Sequence, residues 1–510
     1  MRIAIISDVH MPAIANSAQE ASFSWAINTV KQCGADMILA VGDLTASGDH
    51  LATQRALTLL KQPSLPFRST AGNAEWRDQH DGAHSAKALT ASEPYICEQC
   101  MVLLIDSSTA CIDAAERQRI EQIMSQASHH NILLVTHMPP YALDENSRAW
   151  LENHIHDWPI SLYLCGHGHC DHPFEFGNKP ARMVCGLDPE KAYNGPPSLS
   201  WLTLSNDRWQ YETTPFPGAL LDHWTNDQKQ EMVNRLGVSC VEPKQTLEHL
   251  DQIMDLHVPC LEVRAEAVEL PGLDQAIARW RNTVDQTVLS VHLPNIYWND
   301  GEQSEAERNL WIKTTQAAND LNTAQMTLHP PRLPMDVYRQ DPDVIQRLAD
   351  RVQPYLEKTT ARIAVENLHM SPNQTVENRE FGCLPDEVLS WREAIRERLG
   401  SQRVGNLLDL GHARANGPYS STVGLGTWFT HLGTDIIGYH LHQLDPQSGA
   451  KRCHFPIDHI YGPGISYAAY FWAWQTGQIS RCPIFLEVRG AEQRIASLQY
   501  LRRVLTENPV

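Results

Sequence analysis

Five short signatures gather the residues that could do chemistry in the first 210 positions of the chain. They are Asp8-x-His10, Gly42-Asp43, Gly72-Asn73, Thr136-His137 and Gly166-His167-Gly168-His169. Apolar runs of strand character lead into them: IAIISD (3–8), MILAVGD (37–43), NILLVTH (131–137) and SLYLCGH (161–167). Strand ends project side chains rigidly into one crevice, and the glycines let backbone approach an ion or a phosphate. Carboxylate, amide and imidazole donors of this kind suit manganese, iron or zinc. They suffice for two ions if one carboxylate bridges.

A second set lies beyond residue 280. His292, His329, Glu366, Asp409 with His412, His440 with His442, and Glu487 sit at the ends of six consecutive apolar runs. Polar groups buried at every one of these ends would be costly without a shared metal or substrate. His440 and His442 are two apart on a strand, so they face the same side. Arg264 and Arg489, also at strand ends, are candidate clamps for a phosphate or carboxylate.

These residues need elements to position them, and the two halves of the chain differ in pattern. Up to about residue 215, buried strands alternate with helical stretches such as 18–33. MVCGL, SWLTLS and RWQYE then read as short closing strands. This predicts an α/β sandwich with an antiparallel tail. The turn-rich segment TTPFPGALLDHW reads as part of a linker over 213–230. From 231 to 510 a strand, a loop and an amphipathic helix recur eight times, which predicts a (β/α)₈ barrel. Its strands are expected at 237–242, 260–265, 288–294, 324–330, 362–368, 405–412, 436–445 and 483–490.

Composition bounds the function. The 510 residues carry 41 Lys plus Arg against 60 Asp plus Glu, a formal net charge of -19. That argues against a passive nucleic-acid coat, which needs a basic face. No apolar stretch is long enough to span a membrane, and the opening residues do not read as a signal peptide. The 12 cysteines read as reduced cytoplasmic thiols, with Cys97 and Cys100 forming a single C-x-x-C.

The five N-terminal motifs, in this order, resemble the calcineurin-like metallophosphoesterases over residues 1–212. The resemblance implies a four-layer α/β/β/α sandwich in which Asp8, His10 and His169 hold one metal. Asp43 would bridge to a second, held with Asn73, His137 and His167. One departure stands out: the usual Gly-Asn-His is here Gly72-Asn73-Ala74. The missing histidine is the one implied to steady the transition state or protonate the leaving group.

The later motifs resemble the xylose-isomerase-like barrels, which include sugar-phosphate isomerases, epimerases and apurinic-site endonucleases. This implies a metal centre of Glu366, Asp409, His440 and Glu487. In its isomerase form the resemblance implies that Glu366 and Glu487, across that metal, are the catalytic pair that moves a proton beside a carbonyl. In its nuclease form it implies that the same ligands assemble metals that activate water. His292, His329, His412 and His442 would hold further metals or orient substrate. Of the two histidines in the stretch past the seventh strand, His454 and His459, the latter is the expected counterpart of an endonuclease-type histidine. Together the two resemblances imply two metals in the first domain and one to three in the barrel. The expected function is a cytoplasmic bifunctional metalloenzyme: phosphomonoester or diester hydrolysis, joined to isomerase-like or epimerase-like chemistry on a sugar or sugar phosphate. The alternatives are nucleic-acid processing, or one domain serving as a non-catalytic metal-binding scaffold or sensor.

Overall fold

The computed structural model describes residues 1–510 except 129–130, 299–302, 372, 446–452 and 508–510. The chain divides into two compact units, Met1–Leu220 with Tyr461–Trp472, and Leu221–Ile460 with Ala473–Val510.

The first unit is built on two sheets. One has five strands in the order β11-β10-β1-β2-β3: Arg208–Pro215, Ser198–Ser205, Arg2–Ile6, Met37–Val41 and Phe67–Thr70. The other has six in the order β4-β5-β6-β7-β9-β8: Tyr95–Ile96, Met101–Leu104, Ile132–Thr136, Ile160–Cys165, Lys179–Met183 and His172–Phe176. The β1–β2 and β6–β7 pairs are parallel, while β10 returns antiparallel to β1.

Strand side chains alternate in direction, and here both directions are buried. Ile3 and Ile5 join Met37, Leu39, Val102 and Leu133 in one cluster shared by both sheets. Ala4 and Ile6 turn the other way, onto Phe23, Ile27 and Val30 of the helix Ala18–Cys33. Leu134 and Tyr163 on the second sheet pack against Ile120, Met124, Leu151 and Ile155 of the helices Ala114–Gln126 and Glu145–Asp157. The result is the expected helix–sheet–sheet–helix sandwich. MVCGL is not a closing strand: β9 ends at its first residue, Met183. The chain leaves the sheet there and passes the strand ends, where Leu187 N–H and Asp188 N–H donate to the Ser7 and Asp8 carbonyls.

The segment Tyr461–Trp472 packs with this unit. Tyr461 donates its hydroxyl to the Ala219 carbonyl at 2.9 Å, and Ser466 Oγ donates to the Pro189 carbonyl at 2.7 Å.

The second unit is a closed barrel of strands β12 to β19. They run Leu236–Cys240, Cys260–Arg264, Val288–His292, Gln325–Leu328, Arg362–Glu366, Val404–Asp409, Ile436–Leu441 and Ile484–Leu486, and every neighbouring pair is parallel. All eight lie within or beside the runs expected from sequence. Helices with one apolar face pack outside, among them Pro385–Leu399, whose Trp391 is fully buried. Trp311, on the helix Glu305–Asp320, is buried too, so both tryptophans are packing residues.

Candidate metal centres

In the first unit the ligand atoms fall into two groups. Asp8, His10 and His169 form one, and Asp43, His137 and His167 the other. Asp43 faces both. Its Oδ2 lies 3.4 Å from His10 Nε2 and its Oδ1 lies 3.3 Å from His137 Nε2. Asn73 Oδ1 completes the second group, 3.3 Å from His137 Nε2 and 3.0 Å from His167 Nδ1.

The backbone serves this arrangement at a cost. Asp8, His10, Asp43, His167 and His169 all have φ between 48° and 71°, the left-handed region that non-glycine residues seldom occupy. Five such residues around one cluster mark a site that the fold over-determines. Gly72 must be glycine, because a Cβ there would lie 2.1 Å from Asp43 Oδ1 and 2.7 Å from His137 Nε2.

Hydrogen bonds fix which atoms face inward. His137 Nδ1–H donates to the Val41 carbonyl at 2.8 Å, which leaves Nε2 toward Asp43. Asp8 is steered by Ser7 Oγ and by the backbone N–H of His167. Burial pushes Asp8 up to about 6. Burial would raise Asp43 too, but His137 and His10 more than offset it and hold it well below the carboxylate range. His137 is raised to about 10, its burial outweighed by Asp43. Burial pushes His10 and His169 well below the usual imidazole value, the neutral form in which imidazole binds metal.

Glu75 is a residue the sequence reading passed over. It is fully buried and accepts from Gly72 N–H at 2.7 Å, Asp43 N–H at 3.1 Å and Thr45 N–H at 2.8 Å. It thereby ties the two loops that carry Asp43 and Asn73.

The barrel centre is larger. Glu366 is its hub. One oxygen, Oε2, lies 3.4 Å from His292 Nε2 and 3.1 Å from His329 Nε2. The other, Oε1, lies 3.0 Å from His440 Nδ1 and 3.4 Å from His412 Nδ1. His440 Nδ1 is also 2.9 Å from Glu487 Oε2 and 3.8 Å from Asp409 Oδ2. Arg264 reaches in and pairs with Glu487. Arg489, the other expected clamp, is exposed, and its N–H donates to the His454 carbonyl.

A third group consists of His412, His442 and His454. His412 Nδ1–H donates to the Asn367 carbonyl at 2.9 Å and His454 Nδ1–H to the Glu487 carbonyl at 3.0 Å, so both turn Nε2 outward from those bonds. His442 Nε2 lies 3.1 Å from Asp409 Oδ1. His369, His412 and Cys453 form an overlapping set.

This corrects one expectation. His459 does not join the ligands described here: its Nδ1 pairs with its neighbour Asp458 at 2.5 Å. His454 stands in the cluster instead, held in a left-handed turn with φ 68°. Nothing in local spacing distinguishes the two histidines; the hydrogen bonds of His454 N–H to His442 and of His454 Nδ1–H to Glu487 do.

A metal fits these residues on structural grounds. His292 Nε2, His329 Nε2, Glu366 Oε2, Asp409 Oδ2, His412 Nε2 and Glu487 Oε2 are buried and make no hydrogen bond. Leaving that many buried polar atoms unsatisfied would cost about 1–3 kcal/mol each. Burial lowers His292 to about 4 and His412 to about 3, so both imidazoles are neutral. His440 is raised to about 10, its burial outweighed by Glu366 and Glu262.

Comparison with known proteins agrees with both units. Residues 233–504 match the xylose isomerase-like TIM barrel family model. The chain belongs to that family. Residues 1–171 match the calcineurin-like phosphoesterase model. Among curated proteins nothing matches the chain. Solved structures that align with part of the chain include a dimetal phosphatase from Danio rerio, at 12% identity and TM-score 0.34, covering 42% of this chain and 95% of that one. Endonuclease IV from Thermus thermophilus shows 17% identity and TM-score 0.39, covering 54% of this chain and 100% of its own. D-psicose 3-epimerase from Clostridium cellulolyticum shows 12% identity and TM-score 0.38, covering 53% and 99%. Similarities at this level say nothing about substrate. Both families are typically dependent on divalent metals, and the candidate sites of each unit have the donors for them.

Proposed function

We propose that the first unit hydrolyses phosphomonoesters or phosphodiesters with two divalent metals, and that the barrel is a multi-metal centre acting on a phosphorylated sugar or sugar-like ester. The observation that carries the first half is Asp43, whose two oxygens face two separate donor groups. Asp8, His10 and His169 would hold one metal, and Asn73, His137 and His167 the other, with Asp43 between. Manganese, iron or zinc suits these donors. Two such cations would withdraw charge from a phosphate and make water acidic enough to attack it near neutral pH. The residues contribute preorganisation: the strained loops and the Glu75 tie hold the donors before substrate arrives.

For the barrel, the surroundings of Glu366 support one chemistry over the other. Its two oxygens face different histidine groups, so it serves as a shared ligand rather than a free base. The added group of His412, His442 and His454 supplies donors that a single-metal isomerase does not need. Both points favour phosphoester hydrolysis. Isomerisation or epimerisation is the second reading. It is favoured by the meeting of Glu366 and Glu487 at His440 Nδ1, which puts two carboxylates in one pocket of charge.

The test combines elemental analysis with turnover of p-nitrophenyl phosphate and its bis ester by wild type, Asp43→Ala and Glu366→Ala. Loss of turnover in Asp43→Ala alone supports the first unit as the phosphoesterase for these probes. Loss of diester cleavage in Glu366→Ala assigns that reaction to the barrel. A wild type that carries metal yet turns over neither probe would refute hydrolysis of simple esters. Metal-dependent conversion of a ketose phosphate without phosphate release would favour the second reading.

A further inference from the structure

Glu262 lies mid-strand in β13, fully buried, and belongs to none of the ligand groups described above. Four donors surround it. Ser239 Oγ donates to Oε1 at 2.9 Å, and Ser290 Oγ and Thr327 Oγ1 donate to Oε2 at 3.0 and 2.6 Å. These hydroxyls come from β12, β14 and β15, so three other strands converge on one carboxylate. The fourth donor is His440 Nε2, 2.9 Å from Oε1. A carboxylate only accepts, so this pairing assigns the proton to Nε2. The opposite ring nitrogen, Nδ1, lies 3.0 Å from Glu366 Oε1 and 2.9 Å from Glu487 Oε2, so a cation shared by those two carboxylates would take the Nδ1 lone pair and leave the ring's one proton on Nε2, facing Glu262.

We propose that Glu262 is a positioning residue that fixes His440 as an Nδ1 metal ligand by holding its Nε2–H. This rests on the reading of the barrel cluster as a metal centre. A carboxylate on the far nitrogen of a ligating imidazole sets the tautomer, orients the ring and raises its basicity. Burying a carboxylate to fill space would be a poor use of a core position, since an apolar side chain would do it without the desolvation cost. The three hydroxyls make physical sense only around a group that must stay charged and stay still.

The experiment uses the full chain loaded with zinc. Zinc affinity of the barrel is measured by chelator competition for wild type, Glu262→Gln, His440→Ala and the double variant. The imidazole tautomer of His440 is read by nitrogen NMR of histidine-labelled wild type. The expected results are an Nε2-protonated His440 in the zinc form and a loss of about 10–100-fold in affinity for Glu262→Gln. The double variant should bind no more weakly than His440→Ala, because Glu262 acts through that ring. An Nδ1-protonated His440 in the zinc form would overturn the proposal without any variant, so a Glu262→Gln chain that fails to fold does not protect it. Unchanged affinity in a folded Glu262→Gln, or an equal further loss in the His440→Ala background, overturns it as well. If wild type holds no zinc in the barrel, the reading of that cluster as a metal centre fails, and this proposal with it.

Discussion

Gly411 offers a sharp perturbation of the three-histidine group. It lies in the short helix Leu410–Arg414, immediately after Asp409. A Cβ there would stand 1.8 Å from His442 Cε1 and 2.4 Å from its Nε2. Ordinary contact begins at 3.4 Å, so in Gly411→Ala the ring must retreat by about 1.6 Å (3.4 less 1.8). A zinc–imidazole bond is about 2.0–2.1 Å long, and a nitrogen moved that far leaves the coordination sphere. The helix itself favours alanine over glycine by about 1 kcal/mol. Forced repacking costs about 1–3 kcal/mol, so the net loss of stability should stay near 0–2 kcal/mol and the chain should fold. Zinc titration against a chelator should then show one fewer tightly bound ion than wild type. Turnover of p-nitrophenyl phosphate by the first unit should stay within about twofold, since this centre is held by other residues. A folded Gly411→Ala that keeps the full zinc complement at wild-type affinity would refute the assignment of His442 as a ligand.

Three further outcomes follow from the same structure. Glu387→Ala removes the buried partner of Arg379, together with the acceptor for Gly382 N–H and Cys383 N–H. Breaking such a pair should cost about 3–5 kcal/mol in urea unfolding of the barrel, and a loss under 1 kcal/mol would mean the guanidinium finds water instead. Zinc at about 100 times its dissociation constant should stabilise the folded chain by about 2.7 kcal/mol per site, reversed by EDTA; an unmoved melting temperature would count against resident metal. With a net charge of -19, binding to single-stranded DNA should be weak and nearly independent of salt. A steep salt slope in a filter-binding series would instead favour nucleic-acid processing.

The barrel strands are legible because each is a short apolar run that ends in a polar residue, and a parallel barrel buries both faces of every strand. The ligands at those ends are legible for the same reason: His292, Glu366 and Asp409 interrupt an apolar run where it should stop. Glu262 escapes this logic. It sits inside CLEVR, two residues before Arg264, where a charge reads as a surface position on an alternating strand. The sign of its role is spread over three other strands, as Ser239, Ser290 and Thr327, and only the closed barrel brings them together. His454 escapes for another reason. It follows no strand end, and its place is set by backbone partners such as Glu487, far away in sequence. FRST and MVLL, which form β3 and β5, are too short to stand out from their surroundings.

The departure at Ala74 has a structural counterpart that decides what restoring the family's histidine would do. Ala74 is fully buried, and its N–H donates to Asp43 Oδ1 at 2.7 Å. Glu75 beside it is also buried and pushed up to about 7, by burial first and then by the Asp43 charge. The loop therefore holds the bridging carboxylate through its backbone and through Glu75, with no help from side chain 74. That explains how donor geometry persists without the histidine. Ala74 is also closed off from solvent, so an imidazole placed there has to displace its neighbours. Ala74→His should force the loop apart, at an overpacking cost of about 1–3 kcal/mol, and loosen the Asp43 contact. The expected result is lower metal occupancy in the first unit and no gain in turnover of p-nitrophenyl phosphate. A variant with full metal content and turnover raised tenfold or more would show the opposite. It would mean that the slot is open to substrate, and that the first unit has lost only a proton donor.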